Sequence, residues 1–442
     1  MVPVPPESQN ILFVTDVPFW RGQTGAQFRI GNLVAGLHQA PFQASVLITH
    51  PDTSDASVPA RWEPLEREVN CYNRETNPTG PFPAEIPVDQ LRLDRPPEFG
   101  FIARCRWRWD GLIHAIQKTL ETSDRGTQPI RPRTIENYYD AATIRRFVNY
   151  VSHTRPSIIV FEYLTQTQLL RSLPDHLRKE TTCVLDAHDV LHRRTSAFAE
   201  HGYSHWVDVS AEMEESAVAD YDLIIAIQPE EANYFATVVG QSKVITTGIE
   251  LEPVSNPIGK TAVPPGKGLS IGYLASDNGA NFEAIKEIVS HWSTIRKCCP
   301  EHRLVIAGGI VDRCIDAQFD SKAGIMMLGK VDAVSSFYQC IDVVWNPVKF
   351  GTGLKIKNIE AMSYGKALLT TQHGASGLKT AWETGAILVA DEKQQYLEIL
   401  TQSPKSHFHE VGQKGRKYQE KNFGKGTQFP LLRQKLESLC SQ

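Results

Sequence analysis

No apolar run in the 442 residues approaches the roughly 18 to 20 needed to cross a bilayer, so no membrane-spanning helix is expected. The first ten residues, MVPVPPESQN, lack the basic and apolar regions of a signal peptide, which points to a cytoplasmic protein. Charge of one sign is also missing: 46 Lys and Arg stand against 50 Asp and Glu, a net charge of -4, which excludes a general nucleic-acid binder as the first expectation. The eight cysteines form no CxxC and no Cys/His cluster at zinc spacing, so neither a structural metal nor a disulfide framework is expected. No GxGxxG follows Val14, against a nicotinamide dehydrogenase. Asp220-Tyr221-Asp222 precedes an apolar strand instead of following one, so it reads as a polar strand entry and not as a metal-binding carboxylate pair.

What is present is an ordinary globular composition, 41% hydrophobic and 22% charged, in a chain long enough for two domains. Short continuous apolar runs recur as ILFVT (11–15), ASVLIT (44–49), SIIVF (157–161), TCVLD (182–186), LIIAI (223–227) and KVITT (243–247). Helical text separates several of them, the pattern of parallel strands buried on both faces. Residues 51–97 are rich in Pro, Asn and Asp without a period and read as an irregular excursion. A Pro- and Gly-rich linker follows, and the alternation restarts with SIGYL (270–274), RLVIAG (303–308), IMMLG (325–329), DVVWN (342–346), ALLTT (367–371) and AILVA (386–390). The fold class is therefore α/β, with two doubly wound domains, 1–250 and 268–442, joined by 251–267 and facing a shared cleft.

The most informative segment runs from Trp345 to Leu378. A strand ends at Asn346, a loop with Gly351, Thr352 and Gly353 follows, and a helix starts near Lys355 to Lys357. Backbone N–H groups at such a start, with two lysines, suit a diphosphate, and Glu360 within the first turns could accept from ribose hydroxyls. A tight turn beside two solvated lysines has the same spacing. Gly22 and Gly25 in RGQTGAQFR, with Arg29 after them, sit between strand and helix, where backbone can approach a ligand or simply turn. LDAHDVLHRR puts His188 and Asp189 at a strand's carboxyl end, and Glu162 ends SIIVF in the same way. Such a histidine can meet a sugar hydroxyl or be held structurally between carboxylates. FIARCRWRWDG interleaves Arg104, Arg106 and Arg108 with Trp107 and Trp109, which suits a bilayer interface, a phosphorylated or stacked acceptor, or a helix with buried Trp.

The run GxGxKxKxxEAMxxGKxxxxTxxGxxGL resembles the nucleotide-sugar site of retaining glycosyltransferases of the GT-B fold, in particular family four, the glycosyl transferases group 1. The resemblance implies metal-independent transfer of a sugar, with retention, from a nucleoside-diphosphate donor to a glycan, lipid-linked or other hydroxyl acceptor, as in polysaccharide biosynthesis. No cofactor is implied beyond the donor substrate, and peripheral contact with the membrane's inner face is compatible with it. Carried over by position, Lys355 and Lys357 hold the diphosphate, Glu360 the ribose, and the loop Gly329 to Val331 the base, with Gly351, Thr352, Gly353 and Leu354 along the donor. His188 lies next to the donor sugar, the glycine loop forms the cleft floor, and the helix Phe429 to Cys440 packs back across the first domain. Two departures stand out: Thr352 replaces the glutamate many relatives carry, and nothing basic occurs in the second domain's first loop before Lys286. A nucleotide-sugar 2-epimerase and a non-catalytic sugar-nucleotide-binding regulator are the alternative readings.

Overall fold

The computed structural model describes residues 9–17, 19, 24–39, 41–49, 86–87, 133–254, 267–331 and 333–440. The Arg/Trp segment 101–111, Gly22 and most of the 51–97 excursion lie outside them. In the first lobe the elements are β1 (Gln9–Thr15), α1 (Gly25–Leu37), β2 (Phe42–Ile48), β3 (Ile86–Pro87), α2 (Ala141–Thr154), β4 (Ile158–Glu162), α3 (Thr167–Arg171), α4 (Asp175–Glu180), β5 (Thr182–Asp186), α5 (Leu191–Glu200), α6 (Ala211–Val218), β6 (Leu223–Ala226), α7 (Pro229–Val239) and β7 (Val244–Thr246). The second lobe holds β8 (Ser270–Leu274), α8 (Gly279–Cys298), β9 (Arg303–Ala307), α9 (Ile310–Asp316), β10 (Ile325–Gly329), α10 (Val334–Gln339), β11 (Val343–Asn346), α11 (Ile356–Ser363), β12 (Ala367–Thr370), α12 (Lys379–Glu383), β13 (Leu388–Val389), α13 (Lys393–Gln402) and α14 (Lys405–Phe423). The closing helix is α15 (Phe429–Cys440).

The strands form two sheets, ordered β3-β2-β1-β4-β5-β6-β7 and β10-β9-β8-β11-β12-β13. All pairings are parallel except β2 with β3, which is antiparallel. That exception corrects the reading of 51–97 as wholly irregular: Ile86 and Pro87 add an edge strand, the place in a sheet where a proline is tolerated. The other strands are continuous apolar runs because helices cover both faces, and β4 and β5 are buried almost throughout. In each sheet the strand order reverses once, between β1 and β4 and between β8 and β11. Crevices at the carboxyl ends of such reversals are where open α/β sheets bind ligands.

Local signals fix the helices that border the cleft. Thr24 and Gln27 form a reciprocal capping box that starts α1. The chain returns to the first lobe through α15, whose Phe429, Leu432 and Leu436 are buried with Phe13, Ile30 and Leu33. At roughly 1.5 to 3 kcal/mol for each buried side chain this is strong docking. Gly36 permits it, since a Cβ there would lie 2.3 Å from the Phe429 ring. Glu250, on the segment leaving the first lobe, accepts from the backbone N–H groups of Gly426, Gln428 and Phe429 at 2.8, 2.9 and 3.2 Å. Its carboxylate therefore satisfies orphan donors at the start of α15 and clamps the two chain crossings together.

Candidate active site

On the second-lobe side, β11 delivers the chain to a turn built on Gly351 at φ +97 and Gly353 at φ +74, a region costly for residues with a Cβ. Asn346 at the strand end donates to Asn358 Oδ1 at 2.8 Å, and Asn358 donates to the Gly374 carbonyl at 2.9 Å, so the start of α11 is pinned to β11. Lys355 occupies the position just before α11, and its Nζ donates to the carbonyls of Thr352 and Gly353 at 3.1 and 2.8 Å. Burial pushes its ammonium down to about 8 despite the opposing pull of Asp189 and Glu231. Lys357 turns to Asn281 Oδ1, 2.7 Å away, over the Tyr273 ring, and burial together with Lys355 brings it to about 7.

Glu360 accepts from the Tyr338 hydroxyl at 3.0 Å, and Leu354 is buried in the second lobe's core. Gly329 ends β10 at φ +67, with its carbonyl accepting from Gly308 N–H at 2.8 Å, and Val331 packs against the same core. Thus Gly351, Thr352, Gly353, Leu354 and Lys355 form one loop, while β8 and β9 separate it from Gly329 and Val331.

The first lobe presses acidic groups against this loop. Glu231 on α7 accepts from Gly353 N–H at 2.9 Å through Oε1, while its Oε2 has no partner. Burial, with Asp189 nearby, raises the Glu231 carboxyl well above the ordinary glutamate range. Asp189 pairs with Arg194, and its Oδ1 lies 2.5 Å from where a Gly353 Cβ would be, so no larger residue fits there. Burial works against the Asp189 charge, but Arg194 and Lys355 contribute to keeping it below the usual carboxylate range. Glu230 accepts from Gly377 N–H at 3.3 Å, and Gly25 opens α1 within 3.5 Å, measured from its would-be Cβ, of Ile356 at the opening of α11. The amino ends of α1 and α11 therefore face each other.

Behind this contact is a buried charge cluster. Arg29 grips Asp186 with Nε and Nη2 at 3.0 and 2.9 Å and donates to the Gly248 carbonyl through Nη1. His188 Nε2 lies 2.8 Å from Glu162 Oε2 and 3.4 Å from Asp186 Oδ2. Burial, with Asp186 beside it, raises Glu162 well above its ordinary value; burial lowers His188 to about 4, so its imidazole is neutral. Asp186 is held low, because Arg29 and His188 outweigh the burial that opposes its charge. Glu162, Asp186 and His188 are also the metal-spaced triad among the described residues, but the Arg29 guanidinium already occupies both Asp186 oxygens. His188 at φ +57 and Tyr163 at φ +73 are both in the left-handed half of backbone space, their rings stacked at 3.9 Å. Strain of this sort, of order 1 to 3 kcal/mol per residue, concentrates where function fixes geometry.

Of the first-lobe residues expected at the site, Asp189 reaches the loop of the second lobe and Gly25 reaches the opening of α11. Arg29, Glu162 and His188 form the cluster behind it, His188 with its Nε2 already engaged. Sequence reasoning missed Glu231 and Arg194: Pro229-Glu230-Glu231 reads as an ordinary helix start, with proline and acids in the first turn.

Residues 268–402 match the family Glycosyl transferases group 1. No curated protein sequence matches the chain. Among solved structures, sucrose-phosphate synthase from Thermosynechococcus elongatus is similar over 98% of this chain and 99% of its own, with a TM-score of 0.67 at 14% identity. HepE from Anabaena, solved with UDP and glucose, covers 98% of this chain and 99% of its own, with a TM-score of 0.56 at 12% identity. The lipopolysaccharide outer core galactosyltransferase WaaB covers 98% and 100%, with a TM-score of 0.56 at 13% identity. The second lobe thus carries a glycosyl transferases group 1 domain, and the two lobes together have the GT-B fold of these glycosyltransferases.

Proposed function

We propose that this protein is a metal-independent glycosyltransferase that moves a sugar, with retention, from a nucleoside diphosphate to a hydroxyl acceptor bound by the first lobe. The observation that carries the reading is the Gly351–Gly353 turn feeding Lys355 into the start of α11, opposite the first lobe. As the bond to the sugar breaks, negative charge grows on the leaving diphosphate. Lys355, the Gly353 N–H and the amino end of α11 would stabilise that charge in a dry cleft, where fixed dipoles act most strongly. The diphosphate would take over the Gly353 N–H now held by Glu231, and Lys355 Nζ would turn from loop carbonyls to phosphate oxygens. Glu360 would meet the ribose, and His188 would orient the donor sugar from the first lobe. The acceptor hydroxyl would attack from the face the diphosphate leaves, its oxygen bonding to the sugar carbon as the sugar–phosphate bond breaks and its proton passing to the departing phosphate oxygen.

HepE, solved with UDP and glucose, makes UDP the first nucleotide to test. Calorimetry should show UDP binding to the protein, and Lys355→Ala should weaken it by roughly 1.5 to 3 kcal/mol, the range for hydrogen bonds to charged groups. Equal affinity in the variant would remove Lys355 from the site. Transfer to an acceptor should persist in EDTA, and loss restored by manganese would overturn the metal-free reading. A second reading, a sugar-nucleotide-binding regulator, is favoured by Thr352 and by Glu231 seated on Gly353; it predicts UDP binding without sugar transfer or nucleotide release.

A further inference from the structure

Among the described residues the large exposed hydrophobic side chains are Trp206, Ile315, Trp382 and Leu431. Ile315, Trp382 and Leu431 sit singly on α9, α12 and α15. Trp206 differs, because it is 47% exposed yet stands in a chain of aromatic rings. Tyr138 and Tyr163 lie 6.1 and 5.9 Å from it at 72° and 84°, and His205 lies 5.3 Å away at 37°. None of these rings lies flat on the indole. From His205 the chain runs through Phe198 to Phe350, the residue before Gly351. From Tyr163 it runs to His188. The indole is thus linked on one side to the donor loop and on the other to the two strained residues after β4 and β5.

The polar neighbours of this wall belong to the strand reversal between β1 and β4. The Tyr138 hydroxyl donates to Asp16 Oδ2 at 2.6 Å, and Gln166 Nε2 donates to Asp16 Oδ1 at 3.3 Å, directly after β1. An aromatic plane beside a hydrogen-bonded carboxylate at such a crevice matches a pyranose, whose C–H face needs dispersion contact and whose hydroxyls need acceptors. A lipid surface calls for a larger contiguous apolar face with a basic border, which a single indole does not supply.

We propose that Trp206, framed by Tyr138 and Tyr163, is the platform on which the acceptor's sugar ring stacks, with Asp16 receiving hydroxyl hydrogens. The acceptor is therefore a saccharide at its reacting end. This rests on the glycosyltransferase reading, and the test separates the two.

Saturation-transfer NMR on the full chain would use the methyl pyranosides of glucose, galactose, mannose and N-acetylglucosamine as probes, with UDP affinity measured on the same samples. At least one glycoside should receive saturation at its ring C–H protons. Trp206→Ala should weaken that binding at least tenfold, Trp206→Phe should restore part of it, and UDP affinity should not change. No transfer to any glycoside in the wild type, or equal transfer in Trp206→Ala, would overturn the platform. So would a tryptophan emission shift with phosphatidylglycerol vesicles that is lost in Trp206→Ala and has no counterpart with glycosides. Glycoside binding that depends on Trp206 in a protein that does not bind UDP would support the platform and sink the donor reading.

Discussion

At the scale of single residues, burial makes the lysines of the cleft titrate near neutrality. With Lys355 at about 8, a diphosphate should bind best when that lysine is protonated and should lose affinity as pH rises past that value. Calorimetry with UDP from roughly pH 6.5 to 9.5 should show this fall, and Lys355→Arg, which keeps its charge, should flatten it. An undiminished affinity at the alkaline end would place the phosphate elsewhere.

The Glu162 and His188 pair gives a second dependence, this time of stability. Glu162 is raised in the fold, so the stability it contributes is complete below its ordinary value near 4.5 and is lost as pH rises through the folded value. His188 is depressed from 6.5 to about 4, so its contribution is present above 6.5 and is lost as pH falls toward 4. Glu162→Gln should therefore raise the melting temperature on the alkaline side and leave it nearly unchanged in mild acid. An equal loss at every pH in calorimetric scans would mean that packing at Glu162, not its proton, matters.

At the scale of elements, the return of α15 to the first lobe should hold substantial stability. Phe429 is 3% exposed against Gly36, so Phe429→Ala should cost about 3 to 5 kcal/mol and free the helix. Proteolysis near residue 426 should accelerate in the variant, and an unaltered digestion pattern with an unaltered melting temperature would show α15 to be dispensable.

These elements were largely legible in the sequence. TCVLD and SIGYL coincide with β5 and β8, because buried parallel strands are written as uninterrupted apolar runs between polar turns; IMMLG coincides with β10, half-buried at the sheet edge. AILVA shrinks to the two residues of β13, at the sheet edge, where little pairing is available to extend it. The Gly351–Gly353 turn was legible too, since glycines at positive φ leave a signature. Its partners were not: Glu231 meets Gly353 across 122 positions of sequence, and a buried carboxylate at a helix start is spelled like an exposed one. The bond from Lys357 to Asn281 of α8, across 76 positions, was hidden in the same way. Trp206 sits in GYSHWVDVS, a stretch whose spacing follows neither a helix nor a strand.

At the scale of the whole molecule, the lobes meet through Glu231 on Gly353, through the Tyr203 hydroxyl donating to Glu283, and through Phe350, on whose ring His201 stacks at 3.8 Å. Phe350 adds the apolar part of that contact, buried beside Phe198. Phe350→Ala should loosen the closed arrangement and increase the radius of gyration of the ligand-free protein in small-angle scattering, while UDP should reverse the change. An unchanged radius would assign closure to the polar contacts alone.

The docking of α15 on the first lobe also sets a schedule for biogenesis. The core that contains Ile11, Phe13 and Val46 is sealed by residues from Phe429 onward, so when β7 leaves the ribosome that surface is still bare. At typical elongation rates the nascent chain waits roughly 10 to 40 s for its cover, while the whole second lobe is translated. During that interval the unfinished face is a natural substrate for chaperones, and a ribosome stalled within the second lobe would release a product that exposes it.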